Sequence, residues 1–179
     1  LYAQDSNPIT SLMAEEGIRA LSSSLPTVVS KPDDLEARAE ALYGAWLAGA
    51  CLGNVGMALH HKLCHTVGGA FNLPHAETHA VILPHAVHYN FEAAPDAMAR
   101  IGRALAGSGL SADGAASGLF ALARKLSVPL ALRDLGMKME SLDEAARLAM
   151  QNPYYNPRPL EYAAIRLLLQ NAWEGKRPG

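Results

Sequence analysis

Residues 60–90 read "HHKLCHTVGGAFNLPHAETHAVILPHAVHYN" and hold all seven histidines of a 179-residue chain. His61 and His65 stand four apart, and so do His75 and His79. Residues at that spacing share one face of an α-helix, with Cβ atoms about 5–6 Å from each other. Between the pairs lies "TVGGAFNLP", whose Pro74 suits the first turn of a new helix. The stretch therefore predicts two helices packed across a short turn, with two imidazoles on each. Pro84 is expected to kink or restart the second helix before "HAVHYN".

The flanking sequence extends the helical pattern in both directions. Ile9, Leu12, Met13, Ile18 and Leu21 recur at helical spacing behind Asn7, a candidate cap, and Pro8. "SSSLPTVVSKP" is expected to end that helix, and Asp33 or Asp34 to start the next, "DDLEARAEALYGAWLAGACLGN". The second half of this segment is almost wholly apolar, which predicts an interior position. Further helices are expected at "PDAMARIGRALAG", "DGAASGLFALARKLS", "SLDEAARLAMQN" and "RPLEYAAIRLLLQNAWEG". The tract "AGSGLSADGAASG" follows no strand, so it reads as a loop between helices rather than a phosphate cradle. Ala, Leu and Gly dominate, and the only β-branched run, Thr27-Val28-Val29, is too short for a sheet. The expectation is an all-α bundle of seven to nine helices forming one domain over residues 1–179.

Composition narrows the function classes. Half the residues are apolar, enough for a core that needs no disulfide framework. The net charge is −2 and the 15 basic residues are scattered, which argues against a nucleic-acid partner. One or two arginines suffice for a small anionic substrate. Two cysteines, no stretch of about 18 apolar residues and no signal-peptide order lead to the expectation of a cytoplasmic protein without a membrane span.

Four imidazoles brought to one point suit a divalent metal, which takes nitrogen ligands at about 2.0–2.1 Å when it is zinc. Zinc is the first expectation, and iron, manganese and nickel also accept imidazole. On this reading His61, His65, His75 and His79 are the ligand candidates. Glu77, between the second pair, is a further ligand, an orienting partner or a general base. His60 lies about 100° around the helix from His61 and is not expected to be a ligand. His85 and His88 are expected to bond backbone or line the cavity, and Cys64 to be a small buried thiol. Lys62 and Arg158 are the candidates for holding an anion, although Arg158 in "NPRP" also suits tying a loop.

At these residues the chain resembles the C-terminal helical domain of maleylacetate reductases, within the iron-containing alcohol dehydrogenase superfamily. The likeness runs from "LYAQDSNP" through "ALYGAWLAGACLGNVG" and "GMALHHKLCHTVGGAFNLPHAETHAVILPHAVHYN" to "NPYYNPRPLEYAAIRLLL". It implies that His61 and His75 stand at metal-ligand positions of the metal-dependent members, and that His65 lies beside the nicotinamide. His79 stands where many dehydrogenases carry asparagine. "HAETH" is the maleylacetate reductase version, and the resemblance implies that some reductases of this type work without metal. The nucleotide-binding domain that precedes this region in the family has no counterpart here, and the first ligand pair lies before Leu1. Asp5 is the nearest carboxylate to that missing pair.

Taken as a complete protein, such a chain has no place for a dinucleotide. The leading expectation is then a metal-dependent hydrolase: metal-bound water attacks a phosphoester or phosphodiester, with His65 and Glu77 as catalytic residues. The alternative is the C-terminal half of an NAD(P)H-dependent maleylacetate reductase, inactive without its nucleotide domain. A third reading is an inert folding fragment. The apolar run "ALYGAWLAGACLG" leads to the expectation of a homodimer.

Overall fold

The structure, a computed structural model, describes residues 1–107, 114–152 and 154–178. Among these residues there are eight α-helices and no strand: α1 (Pro8–Ser30), α2 (Leu35–Asn54), α3 (Leu59–Phe71), α4 (His75–Tyr89), α5 (Pro95–Ala106), α6 (Ala115–Lys125), α7 (Leu142–Ala149) and α8 (Tyr162–Glu174). Two 3₁₀ turns, Leu132–Leu135 and Met139–Ser141, lead into α7. The all-α expectation and the helix count hold. The centre of the glycine-rich tract, 108–113, lies outside the described residues.

Local chemistry explains most boundaries. Asn7 Oδ1 accepts from the backbone N–H groups of Ile9 and Thr10, both at 3.0 Å, and caps α1. Asp34 does the same for α2 through Ala37 N. Helix α1 ends at Ser30, within the stretch expected to stop it, though not at the first of its two prolines. Helix α1 runs through Pro26, where the Ser22, Ser23 and Ser24 hydroxyls fold back onto the carbonyls of Arg19 and Ala20 and α2 packs alongside. Helix α4 likewise continues through Pro84. Packing on neighbouring helices outweighs the single hydrogen bond that each proline removes.

The main core is built on α3, α4, α7 and α8. Leu59, Leu63 and Val67 form a buried stripe along α3 and meet Val81 and Ile82 of α4, Leu142 and Ala146 of α7, and Ile165 and Leu169 of α8. A second cluster joins Val87 of α4 to Met98, Ile101 and Leu105 of α5 and Ala115 and Ala116 of α6. Helix α4 thus contributes to both.

The apolar second half of α2 does not enter the interior. Only Gly44 and Leu47 of α2 are buried, whereas Leu42 is 72% and Trp46 65% exposed. Contact with α1 is made along one narrow line, where Gly17 and Gly44 let the two helices approach. A Cβ on Gly44 would sit 2.8 Å from Leu21 Cγ and 3.1 Å from Leu21 N, while one on Gly49 would meet nothing within 4 Å. No single described helix is long and apolar enough to cross a membrane.

This contrast gives the first prediction. Gly44→Val should destabilise the protein by about 1–3 kcal/mol through overpacking. Gly49→Ala should stabilise it by about 0.5–1 kcal/mol, since only helix propensity changes. Urea unfolding of both variants measures the difference; equal midpoints would show that α1 and α2 do not meet as described.

Candidate functional site

The α3–α4 turn sets the geometry. Asn72 takes a left-handed conformation (φ 51°), which asparagine tolerates, and Leu73 N closes the end of α3 onto Gly68 O at 3.2 Å. Helix α4 starts directly after Pro74, and the buried Thr78 hydroxyl donates to Pro74 O at 2.6 Å. With Leu59, Leu63 and Val67 turned into the core, the opposite side of α3 presents His61 and His65. Across the turn, α4 presents His75 and His79.

The four imidazoles converge as their spacing predicts. Ring centres are 4.9 Å apart for His61 and His79, 4.4 Å for His75 and His79, and 6.0 Å for both His61–His65 and His65–His75. His79 sits in the middle, half-buried, and its buried Nε2 has no hydrogen-bond partner. His65 and His75 form the exposed rim.

His60 is the residue that helical geometry alone misplaced. Its ring lies 5.4 Å from that of His61 and 4.9 Å from that of His79, with Nε2 3.1 Å from the His79 carbonyl oxygen. Ligand atoms of His60, His61 and His79 all lie within 4.8 Å of one another, close enough to surround one divalent ion. Two adjacent residues of α3 can both face α4 when that helix packs over the line between them. The doublet "HH" was the available signal.

Burial governs the protonation of this group. Desolvation pushes the imidazoles of His60 and His79 down to about 4, and neighbouring histidines add to the shift. His61 is lowered too, by desolvation first and then by His65 and His75. At neutral pH these are uncharged rings with lone pairs, the form that binds a metal or accepts a proton.

Other candidates stand elsewhere. Lys62 Nζ lies over the Tyr154 ring, 5.6 Å from its centre, and Arg158 stacks on Tyr89 at 4.3 Å while its Nη1 donates to Tyr89 O. Neither points an ammonium or guanidinium at the imidazoles; Arg158 ties its loop to the end of α4, beside a reciprocal Asn90–Asn156 pair. Glu77 is half-buried and makes no hydrogen bond or ion pair among the described residues, so it orients none of the histidines. Asp5 accepts from Gly56 N at 2.9 and 3.1 Å and fixes the loop before α3. Cys64 is buried, as expected, and desolvation raises its thiol to about 12. An apolar cavity of about 470 Å³ reaches the cluster from the α1–α2 side, lined by Ile18, Leu21, Leu52, Val55 and Leu83 and ending at His60 and His61.

Fold and site together describe an all-helical domain that carries an imidazole cluster on one helical hairpin. Residues 1–173 match the model of the Fe-containing alcohol dehydrogenase family, C-terminal part, and the chain belongs to that family. It is 58% identical over 178 residues to the maleylacetate reductase of Burkholderia cepacia, covering 99% of this chain and 49% of that protein. The crystal structure of maleylacetate reductase from Agrobacterium tumefaciens superposes with a TM-score of 0.93 at 54% identity, again over 99% of this chain and 49% of that one. An iron-containing alcohol dehydrogenase from Corynebacterium glutamicum gives 0.91 at 40% identity, with the same coverage. The chain spans about half the length of the curated relatives it matches.

These findings overturn the hydrolase reading. The close relatives are reductases and dehydrogenases, not phosphoesterases or phosphodiesterases. That reading took the chain as complete and its site as open to water; a chain matching only half of each relative removes the premise. The preference for zinc also lacks support, because the family description names iron. What holds is the coarser statement of an imidazole cluster fitted to a divalent metal.

Buried neutral histidines make the fold sensitive to acid. His85 is 3% exposed, its Nε2 has no partner, and burial lowers it to about 4, with His88 adding to the shift. The unfolded chain takes up this proton near pH 6.5, so between about 6.5 and 4 it binds more protons than the folded one. The stabilisation is complete above pH 6.5 and is lost as the pH falls towards 4, up to about 3 kcal/mol for His85 alone. Thermal midpoints from pH 7.5 to 4 should fall below pH 6.5, less steeply in His85→Leu. A flat profile would place His85 in water.

Proposed function

We propose that this chain is the helical half of an NAD(P)H-dependent maleylacetate reductase and supplies the histidine side of its active site. The supporting observation is the convergence of His61, His65, His75 and His79 on α3 and α4, in a chain 58% identical over nearly its whole length to a maleylacetate reductase. The reacting groups on this half are imidazoles. They offer N–H donors to a carboxylate or carbonyl of a small anionic substrate and can release or take up a proton as charge moves during reduction. His65 and His75, on the exposed rim, are the residues for that contact, and the resemblance implies that His65 lies beside the nicotinamide. The dinucleotide itself belongs on the other half.

The imidazole cluster also suits the family's iron: ligand atoms of His61 and His79 lie within 4.8 Å of each other, the resemblance adds His75, whose ring stands 4.4 Å from that of His79, and the buried Nε2 of His79 has no other partner. When bound, such an ion supplies Lewis-acid polarisation of a substrate oxygen. Lys62 and Arg158 are left out of substrate binding because each is already stacked on a tyrosine. Exposed Leu42 and Trp46 support the expectation of a homodimer, and the cytoplasm remains the expected compartment.

The test uses the full-length protein carrying this chain, assayed for maleylacetate-dependent NADH and NADPH oxidation, with iron content measured before and after chelation. Turnover is expected, and His61→Ala and His79→Ala should each lower kcat/KM by about 10–100-fold or more. Lys62→Ala and Arg158→Ala should leave the KM for maleylacetate within about twofold. Absence of turnover by the wild-type protein, or full activity of both histidine variants, would refute the reading. Light scattering at twice the monomer mass would support the dimer.

A further inference from the structure

His79 occupies the centre of the cluster, yet neither of its ring nitrogens has a hydrogen bond among the described residues. A working histidine normally has its ring orientation fixed by a bond to the second nitrogen. Here the fixing contact is to the main chain: His60 Nε2 lies 3.1 Å from the His79 carbonyl oxygen. A carbonyl only accepts, so His60 Nε2 carries the proton and its Nδ1 does not. The His60 ring also stands edge-on to two others, at 83° to His79 and 71° to His61. One side chain of α3 therefore grips the backbone of α4 at His79 and borders both the central imidazole, His79, and its neighbour His61.

The place of the grip is physically apt. Pro84 has no N–H for the carbonyl of Ala80, so the turn of α4 that carries His79 is one internal hydrogen bond short. A donor from outside the helix at the neighbouring carbonyl holds that turn in place.

We propose that His60 is a positioning residue: by holding the His79 carbonyl it sets where the His79 imidazole stands between His61 and His75. Its effect on catalysis rests on the reductase reading above, while its effect on His79 does not.

The experiment compares His60→Leu, His60→Gln and His60→Asn in the full-length protein. Glutamine places a donor nitrogen about where imidazole Nε2 stands, and asparagine falls one bond short. His60→Leu and His60→Asn should lower kcat by about 10–100-fold with the KM for the nicotinamide cofactor within about twofold, and His60→Gln should recover most of the rate. In ¹⁵N-histidine spectra His60 should appear as the Nε2–H tautomer. The His79 ring resonances should move in the leucine and asparagine variants and return in the glutamine one. The asparagine–glutamine comparison holds even where the leucine variant folds poorly. Equal rates in all variants, or a glutamine variant as impaired as the asparagine one with His79 unmoved, would overturn the proposal. If the wild-type protein shows no reductase turnover, the reductase reading fails and the spectra alone decide the role of His60.

Discussion

The packing of α3 on α4 is the contact from which the rest of this molecule follows. Leu59, Leu63 and Val67 must leave water, and Val81 and Ile82 give them a surface to leave it on. A three-residue turn, Asn72 to Pro74, leaves only a few ways for two helices so joined to pack. Once those apolar faces meet, the opposite edges are fixed, and they carry the imidazoles. No histidine has to seek its neighbours, because the hydrophobic stripe does the placing.

Desolvation then decides the chemical character of the cluster. Five imidazoles gathered in water would share protons near pH 6.5. Burial between α3 and α4 lowers all three of His60, His61 and His79, to about 4 for His60 and His79. Neutrality is what makes a site of nitrogen lone pairs rather than a patch of positive charge. The two cations considered for the site, Lys62 and Arg158, are engaged by tyrosine faces, so they do not restore the charge that burial removes.

How much could be read in advance varied with the kind of interaction involved. The helices, their caps at Asn7 and Asp34 and the two i,i+4 pairs were legible, because each depends on residues close in sequence. Pro26 and Pro84 do not end their helices, since the packing that carries α1 and α4 past them comes from other helices. The apolar half of α2 misled: hydrophobicity does not say whether a face is covered by this chain or left exposed, as Leu42 and Trp46 are. The place of His60 beside His61 and His79 was not legible, because a single-helix wheel has no second helix on it. The hydrolase reading failed for a different reason: it treated what the chain lacks as a property of the chain.

Helix α4 is shared between two apolar clusters, with Ile82 and Tyr89 in one and Val87 in the other. A helix wedged from both sides cannot tilt or slide without opening a cavity in one core or crowding the other. His75 and His79 are therefore mounted on a helix held from two sides, an anvil rather than a jaw.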